Sequence, residues 1–173
     1  MPPDSLARAA TARIQVLAPA GELDFLDTQS VVLPAPITPL DAWRLMHARP
    51  LPGMKLAFRL RDAICAPFGV KRIGGISGQP KGGVRPGGKL DFFTVAKLTE
   101  EVLTLTVRDR HLDVMTCVTC NSGVLSVTSS VKTHSLFGRL YMLVVRPAHK
   151  LIVALSLKRL LQEMDRGSSA TRR

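Results

Sequence analysis

The sequence predicts an α+β fold, an antiparallel sheet wrapped on a long C-terminal helix. Three features carry that expectation. Residues 91–134 hold four β-rich runs separated by short polar turns, a strongly apolar helical segment follows from Leu136, and two short helical segments precede the sheet.

In chain order, residues 1–21 are rich in Ala, Pro and Arg without periodicity and read as a mobile tail. A single domain is expected over 22–164, and 165–173 reads as a disordered basic tail. Leu26 to Leu33 is β-rich and stops at Pro34, which makes a first strand. Thr38-Pro39-Leu40-Asp41 opens a helix: a hydroxyl caps it, proline suits its first turn, and an acid meets its positive end. This helix carries the only Trp, Trp43, and ends before Pro50. A second helix is expected from about Met54 to Ala66, with Leu56, Leu60, Ala63 and Ile64 on its packing face and Pro67 and Gly69 as its stop. Residues 70–90 then hold seven of the 13 glycines and no acid, and read as a surface loop.

Two-residue turns at Thr99-Glu100, Asp109-Arg110 and Ser122-Gly123 would set the register of the sheet. Leu98 then faces Glu101, Arg108 faces His111, and Asn121 faces Val124. One face collects Phe92, Ala96, Leu103, Leu105, Val107, Leu112, Val114, Val118, Leu125, Val127 and Val131. The other is mostly hydroxyls and charges, and is expected to meet solvent. Ser135 is placed to cap the terminal helix, which runs to about Met164. Pro147 removes one backbone hydrogen bond there and crowds the carbonyl of Leu143, so a kink or break is expected.

The net charge of +11 favours anionic partners, against the competing reading of a solvated basic surface. Weak contact with an acidic membrane or with nucleic acid is compatible with it, and Lys55, Arg59 and Arg61 flank an amphipathic helix. Aromatic residues, at 5%, are too few for a base-stacking platform. No apolar run approaches a membrane span, the longest being Leu151 to Leu157. Three cysteines fit a reducing cytoplasm better than a disulfide framework. Cys117 and Cys120 form a C-x-x-C on a strand, where residues three apart point to opposite faces and cannot share a metal. Neither a metal nor a cofactor is expected, and no nucleophile or dinucleotide motif is present.

Specific stretches carry a resemblance. They are Arg110-His111-Leu112-Asp113, then His134 with Gly138-Arg139-Leu140-Tyr141, then Val145-Arg146-Pro147-Ala148-His149-Lys150-Leu151-Ile152-Val153. Over about residues 25–160 the chain resembles the uncharacterised bacterial family domain of unknown function 2867. The element order is similar to the helix-grip fold of the Bet v 1-like, START or SRPBCC superfamily. The resemblance implies an apolar or amphipathic ligand held between sheet and helix. Some relatives of that superfamily are cyclases or hydrolases.

Candidate sites follow from both readings. A ligand pocket is expected among Leu103, Leu105, Val114, Val127 and Val131 of the sheet and Leu140, Tyr141 and Val144 of the helix. Lys71, Arg72, Lys81, Arg85 and Lys89 of the glycine-rich loop would meet an anionic end of the ligand. The register also sets His111 across from His134 and Asp113 across from Lys132, with Arg108 beside them. This patch would serve proton transfer or anchoring, against the competing reading of a cross-strand polar patch, and two close imidazoles would titrate as a coupled pair. The expectation is thus a small-molecule binding protein without catalytic residues. The alternatives are an enzyme of the cyclase or hydrolase type, using Tyr141 or the histidine patch, or a peripheral binder of an anionic surface.

Overall fold

In the computed structural model, described over residues 14–49, 53–66 and 83–170, a six-stranded antiparallel sheet packs against a long terminal helix. The strands are β1 (Phe25–Val32), β2 (Lys89–Leu90), β3 (Phe93–Leu98), β4 (Val102–Arg108), β5 (Leu112–Asn121) and β6 (Val124–Thr133). The helices are α1 (Pro39–His47), α2 (Met54–Cys65) and α3 (Leu136–Ala170). Strand order is β1-β6-β5-β4-β3-β2, so β1 crosses over to pair with β6 and forms one edge.

The β5–β6 register is the expected one, Asn121 opposite Val124 and Leu112 opposite Thr133. Ser122 and Gly123 both take positive φ, as a two-residue hairpin turn with matching twist requires. The other two hairpins differ from expectation. Leu98 pairs with Leu103 and Arg108 with Asp113, so four residues in place of two separate each pair. Side chains explain the wider turns. The Thr99 hydroxyl accepts from the Val102 amide at 3.0 Å, and the Asp109 carboxylate accepts from the amides of His111 and Leu112 at 2.7 and 3.0 Å. A slide of two residues keeps every side chain on its face, so the sorting of β4 to β6 holds. A bulge between Val95 and Lys97 reverses the phase of β3. Val95 and Phe93 enter the core in place of Ala96 and Phe92; Ala96 is exposed and Phe92 only partly buried.

The hydroxyl-rich face is buried, where solvent was expected. Residues 14–22 lie across it, so the expected tail does not extend over 14–21. The amides of Gln15 and Leu17 donate to Cys117 Sγ and Ser130 Oγ, and Thr104 donates its hydroxyl to the Gln15 side chain at 2.8 Å. Beneath them Thr28–Thr128 and Ser30–Ser126 form cross-strand hydroxyl pairs at 2.9 and 2.8 Å.

α1 is capped as expected, the Thr38 hydroxyl accepting from the Asp41 amide, and it buries Trp43 and Met46. Of the expected packing face of α2, Leu56 and Ala63 are exposed, and the side chains of Leu60 and Ile64 lie outside the described residues. Ser135 caps α3 by accepting from the Gly138 amide at 3.1 Å. α3 then runs through Pro147 without a break and reaches Ala170, six residues beyond the expected end at Met164 and through part of the expected disordered tail. It divides the core in two. Val153, Leu157 and Leu160 join Trp43, Leu103, Leu105, Leu125 and Val127 at one end, while Met142 joins Phe25, Leu112 and Val131 at the other.

Candidate functional site

Between the two apolar clusters the helix-facing side of the sheet is polar. Asp27, Ser129 and Thr116 stand opposite one another on β1, β6 and β5, on the same face as Phe25, Val131 and Val114. Gln29 follows Asp27 on that face. Over this row α3 sets the sequence Arg146-Pro147-Ala148-His149-Lys150. Lys150 pairs with Asp27 at 3.3 Å, and Gln29 donates to the Asp27 carboxylate and to the Lys150 carbonyl at 2.9 and 3.0 Å. Arg146 donates to the Asp24 carbonyl. His149 lies edge-on to Phe25, ring centres 5.7 Å apart. Burial holds the His149 imidazole below its ordinary pKa, with the Asp27 carboxylate opposing. Asp24 titrates below the usual carboxylate range, chiefly because it accepts from the Thr133 amide at 2.7 Å.

Three polar atoms of this region, Ser129 Oγ, Arg146 Nε and His149 Nε2, are buried without a hydrogen-bond partner. Buried polar groups are nearly always paired, so these atoms are places where a bound molecule or an ordered water would supply the partner. Beside them a cleft of about 450 Å³ opens between the start of β1 and α3, lined by Asp24, Phe25, Leu26, Arg146, Pro147 and Lys150. Its walls combine apolar side chains with two cations, a set suited to an amphipathic anion.

The expected ligand-lining residues do not converge. Leu103, Leu105, Val127 and Val131 are packed in the core, and Val114 packs beside Phe25 and Met142. Leu140 and Val144 point away from the sheet, 56% and 74% exposed. Tyr141 is half-buried and accepts from Arg61 Nε at 3.1 Å. Of the loop cations, Lys71, Arg72 and Lys81 lie outside the described residues. Arg85 is exposed, and Lys89 bonds to Thr94 at 2.8 Å. Both belong to the β2 edge, five strands from the cleft at the β1 edge, so they do not meet a ligand there.

The histidine patch forms only in part, on the sheet face away from α3. His134 approaches Asp113 at 3.4 Å, while Lys132 turns to Glu22 at 3.1 Å. Arg108 stands opposite Asp113 in the ladder. The backbones of His111 and His134 meet, but the His111 ring bonds to Ser135 at 2.9 Å and packs on Phe137. This patch therefore braces the helix N-terminus and does not reach the cleft. Cys117 and Cys120 are free, buried and on opposite faces, and burial pushes the Cys120 thiol up to about 12. Among the described residues no group of three His, Cys, Asp or Glu side chains is placed to hold a metal.

Sequence reasoning missed the Asp27–Ser129–Thr116 row. The signal was present: the register that aligned Asn121 with Val124 also put Thr116 beside Ser129 on the apolar face.

Fold and site together define an α+β protein whose sheet holds a long terminal helix over a polar row. Residues 19–155 match the family described as Protein of unknown function (DUF2867), and the chain belongs to that family. No curated protein and no solved structure matches the chain.

Proposed function

We propose that the protein binds a small amphipathic anion in the cleft between β1 and α3, within an architecture of the helix-grip type. One observation carries this reading: Arg146 and Lys150 share a cleft wall with Phe25, Leu26 and Pro147, and the Nε of Arg146 on that wall has no hydrogen-bond partner. The ligand's anionic end would take the two cations and its apolar part would lie on Phe25 and Pro147. The Asp24 carboxylate on the same wall is turned to the Thr133 amide, which lessens its repulsion of an anion. Free, buried thiols suit a reducing compartment, and a cytoplasmic location accompanies the proposal.

Titration with the amphipathic dye anilinonaphthalene sulfonate tests it. The native chain should bind one dye with a fluorescence rise, and R146Q/K150Q should bind about tenfold or more weakly at unchanged circular dichroism. Equal binding by that variant would place the ligand elsewhere. Native mass spectrometry of the purified protein would then identify any co-purified acid of this class.

A further inference from the structure

α3 is apolar on two opposite faces through its first five turns. Met142, Val153 and Leu157 face the sheet and are buried. The outward face carries Leu136, Leu140, Leu143, Val144, Leu151 and Leu155, which are 40% to 74% exposed. Exposed Pro147, Ala148 and Ala154 fill the gaps between them. The stripe is continuous from Leu136 to Leu155, about 28 Å at the helical rise. With about 100° between successive residues, Arg139, Arg146 and Lys150 all fall along one border, and no charge interrupts the centre before Lys158. A helix apolar all round is normally buried in a core or in lipid. Only 22% of the most apolar window of this one is buried, and it is long and apolar enough to cross a membrane by length and composition.

We propose that this stripe docks the protein, helix lying in the plane, on an anionic lipid surface. Charge selects the occupant. A net charge of +11 repels a second copy of the chain and attracts acidic headgroups, and the basic border of the stripe sits where those headgroups would be. Crossing the membrane is disfavoured by the same helix. It would carry Arg139, Arg146 and Lys150 into hydrocarbon and strip Val153, Leu157 and Leu160 from the sheet. Lying in the interface does neither: the apolar face enters the acyl boundary while the border cations stay at the headgroups.

Arg146 and Lys150 border both the stripe and the cleft, so the test substitutes apolar residues of the stripe that lie outside the cleft. The full chain is floated with phosphatidylcholine vesicles, with and without phosphatidylserine, at low and at high salt. Flotation is expected with phosphatidylserine at low salt, and should weaken about tenfold or more on phosphatidylcholine alone. The variant L140Q/V144Q, and separately L136Q/L143Q, should lose binding by about tenfold or more while keeping native circular dichroism, since these side chains are exposed in the fold. Failure of the native chain to float at low salt would overturn the proposal. So would unchanged flotation of both variants. A concentration-dependent dimer in sedimentation velocity that either variant dissolves would assign the stripe to a second copy, and would overturn it as well.

Discussion

Gly138 lies in the first turn of α3, and a Cβ built there would sit 2.4 Å from the His111 carbonyl oxygen and 3.4 Å from Thr133 Cβ. Carbon and oxygen need about 3.3 Å, so Gly138→Ala forces roughly 0.9 Å of separation between two backbone segments. Neither can rotate away as a side chain would. Extra volume in a packed site costs about 1–3 kcal/mol, and the helix propensity of alanine returns about 1 kcal/mol. A net loss of up to about 2 kcal/mol is expected, a Tm drop of up to roughly 8 °C in a chain of this size. Thermal unfolding followed by circular dichroism measures it. Gly21→Ala is the control, because nothing lies within 4 Å of its Cβ. That change should stay within about 0.5 kcal/mol. If Gly138→Ala instead raises Tm, propensity alone governs the position, and α3 does not press on the β4–β5 turn.

Other perturbations follow from the packing and from the buried titratable groups. Leu160→Ala, in the centre of the larger apolar cluster, should cost about 2–5 kcal/mol, whereas Leu143→Ala on the exposed stripe should stay within about 0.5 kcal/mol in urea unfolding. His47 and His149 are both held below the ordinary histidine value of 6.5, chiefly by burial. A histidine depressed in the folded state contributes stability above its unfolded pKa. That contribution is lost as pH falls from 6.5 to the lowered folded values, with a slope of at most about 1.4 kcal/mol per pH unit per histidine. Urea midpoints measured from pH 7.5 to 4.5 should therefore fall, and His149→Gln should flatten part of the slope. Cys117 and Cys120 should resist a thiol reagent in the folded chain and react on unfolding, since both are buried and the Cys120 thiol is pushed up to about 12. Peptide mass spectrometry after brief labelling reads each thiol separately.

Most of the fold was legible in the sequence, for reasons that also mark where legibility stopped. Ser122-Gly123 announces its turn because only a short list of residues accepts two successive positive φ values, and the β5–β6 register followed. Thr99 and Asp109 do not announce theirs, since whether a hydroxyl or carboxylate widens a turn by capping it depends on the chain around it. The bulge in β3 leaves no mark in an alternation of Phe92, Phe93 and Val95, so its phase was read the wrong way round. Leu140 and Val144 were assigned to the inside because periodicity finds a stripe without saying which side it faces. α3 has two apolar stripes, and only the packing of Met142 and Val153 tells them apart. The site was half legible. Arg146-Pro147-Ala148-His149-Lys150 stood out as a stretch, but its partners Asp24, just before β1, and Asp27 and Gln29 within it lie over a hundred residues earlier, and no local pattern joins them.

The polar row under α3 can be weighed against the fold it interrupts. Asp27 is 14% exposed, paired with Lys150 and bonded to Gln29, so removing the exposed Lys150 would leave a largely buried carboxylate without its cation. Ser129 is different. Its hydroxyl is buried with no partner, between Asp27 and Thr116 in the ladder. An unmade hydrogen bond of that kind costs about 1–3 kcal/mol, and a side chain of the same shape without the hydroxyl costs nothing comparable. Ser129→Ala is therefore expected to be neutral or to stabilise the protein by up to about 1–2 kcal/mol, a Tm gain of a few degrees, although serine-to-alanine changes in cores otherwise tend to destabilise. Such a gain would show that the row is kept at a cost to stability, as polar groups serving a bound molecule are. A loss of more than about 1 kcal/mol on thermal unfolding would instead show that the hydroxyl is paired in solution. Ser129 would then belong to the scaffold of the sheet, and the site would reduce to Arg146, His149 and Lys150 over β1.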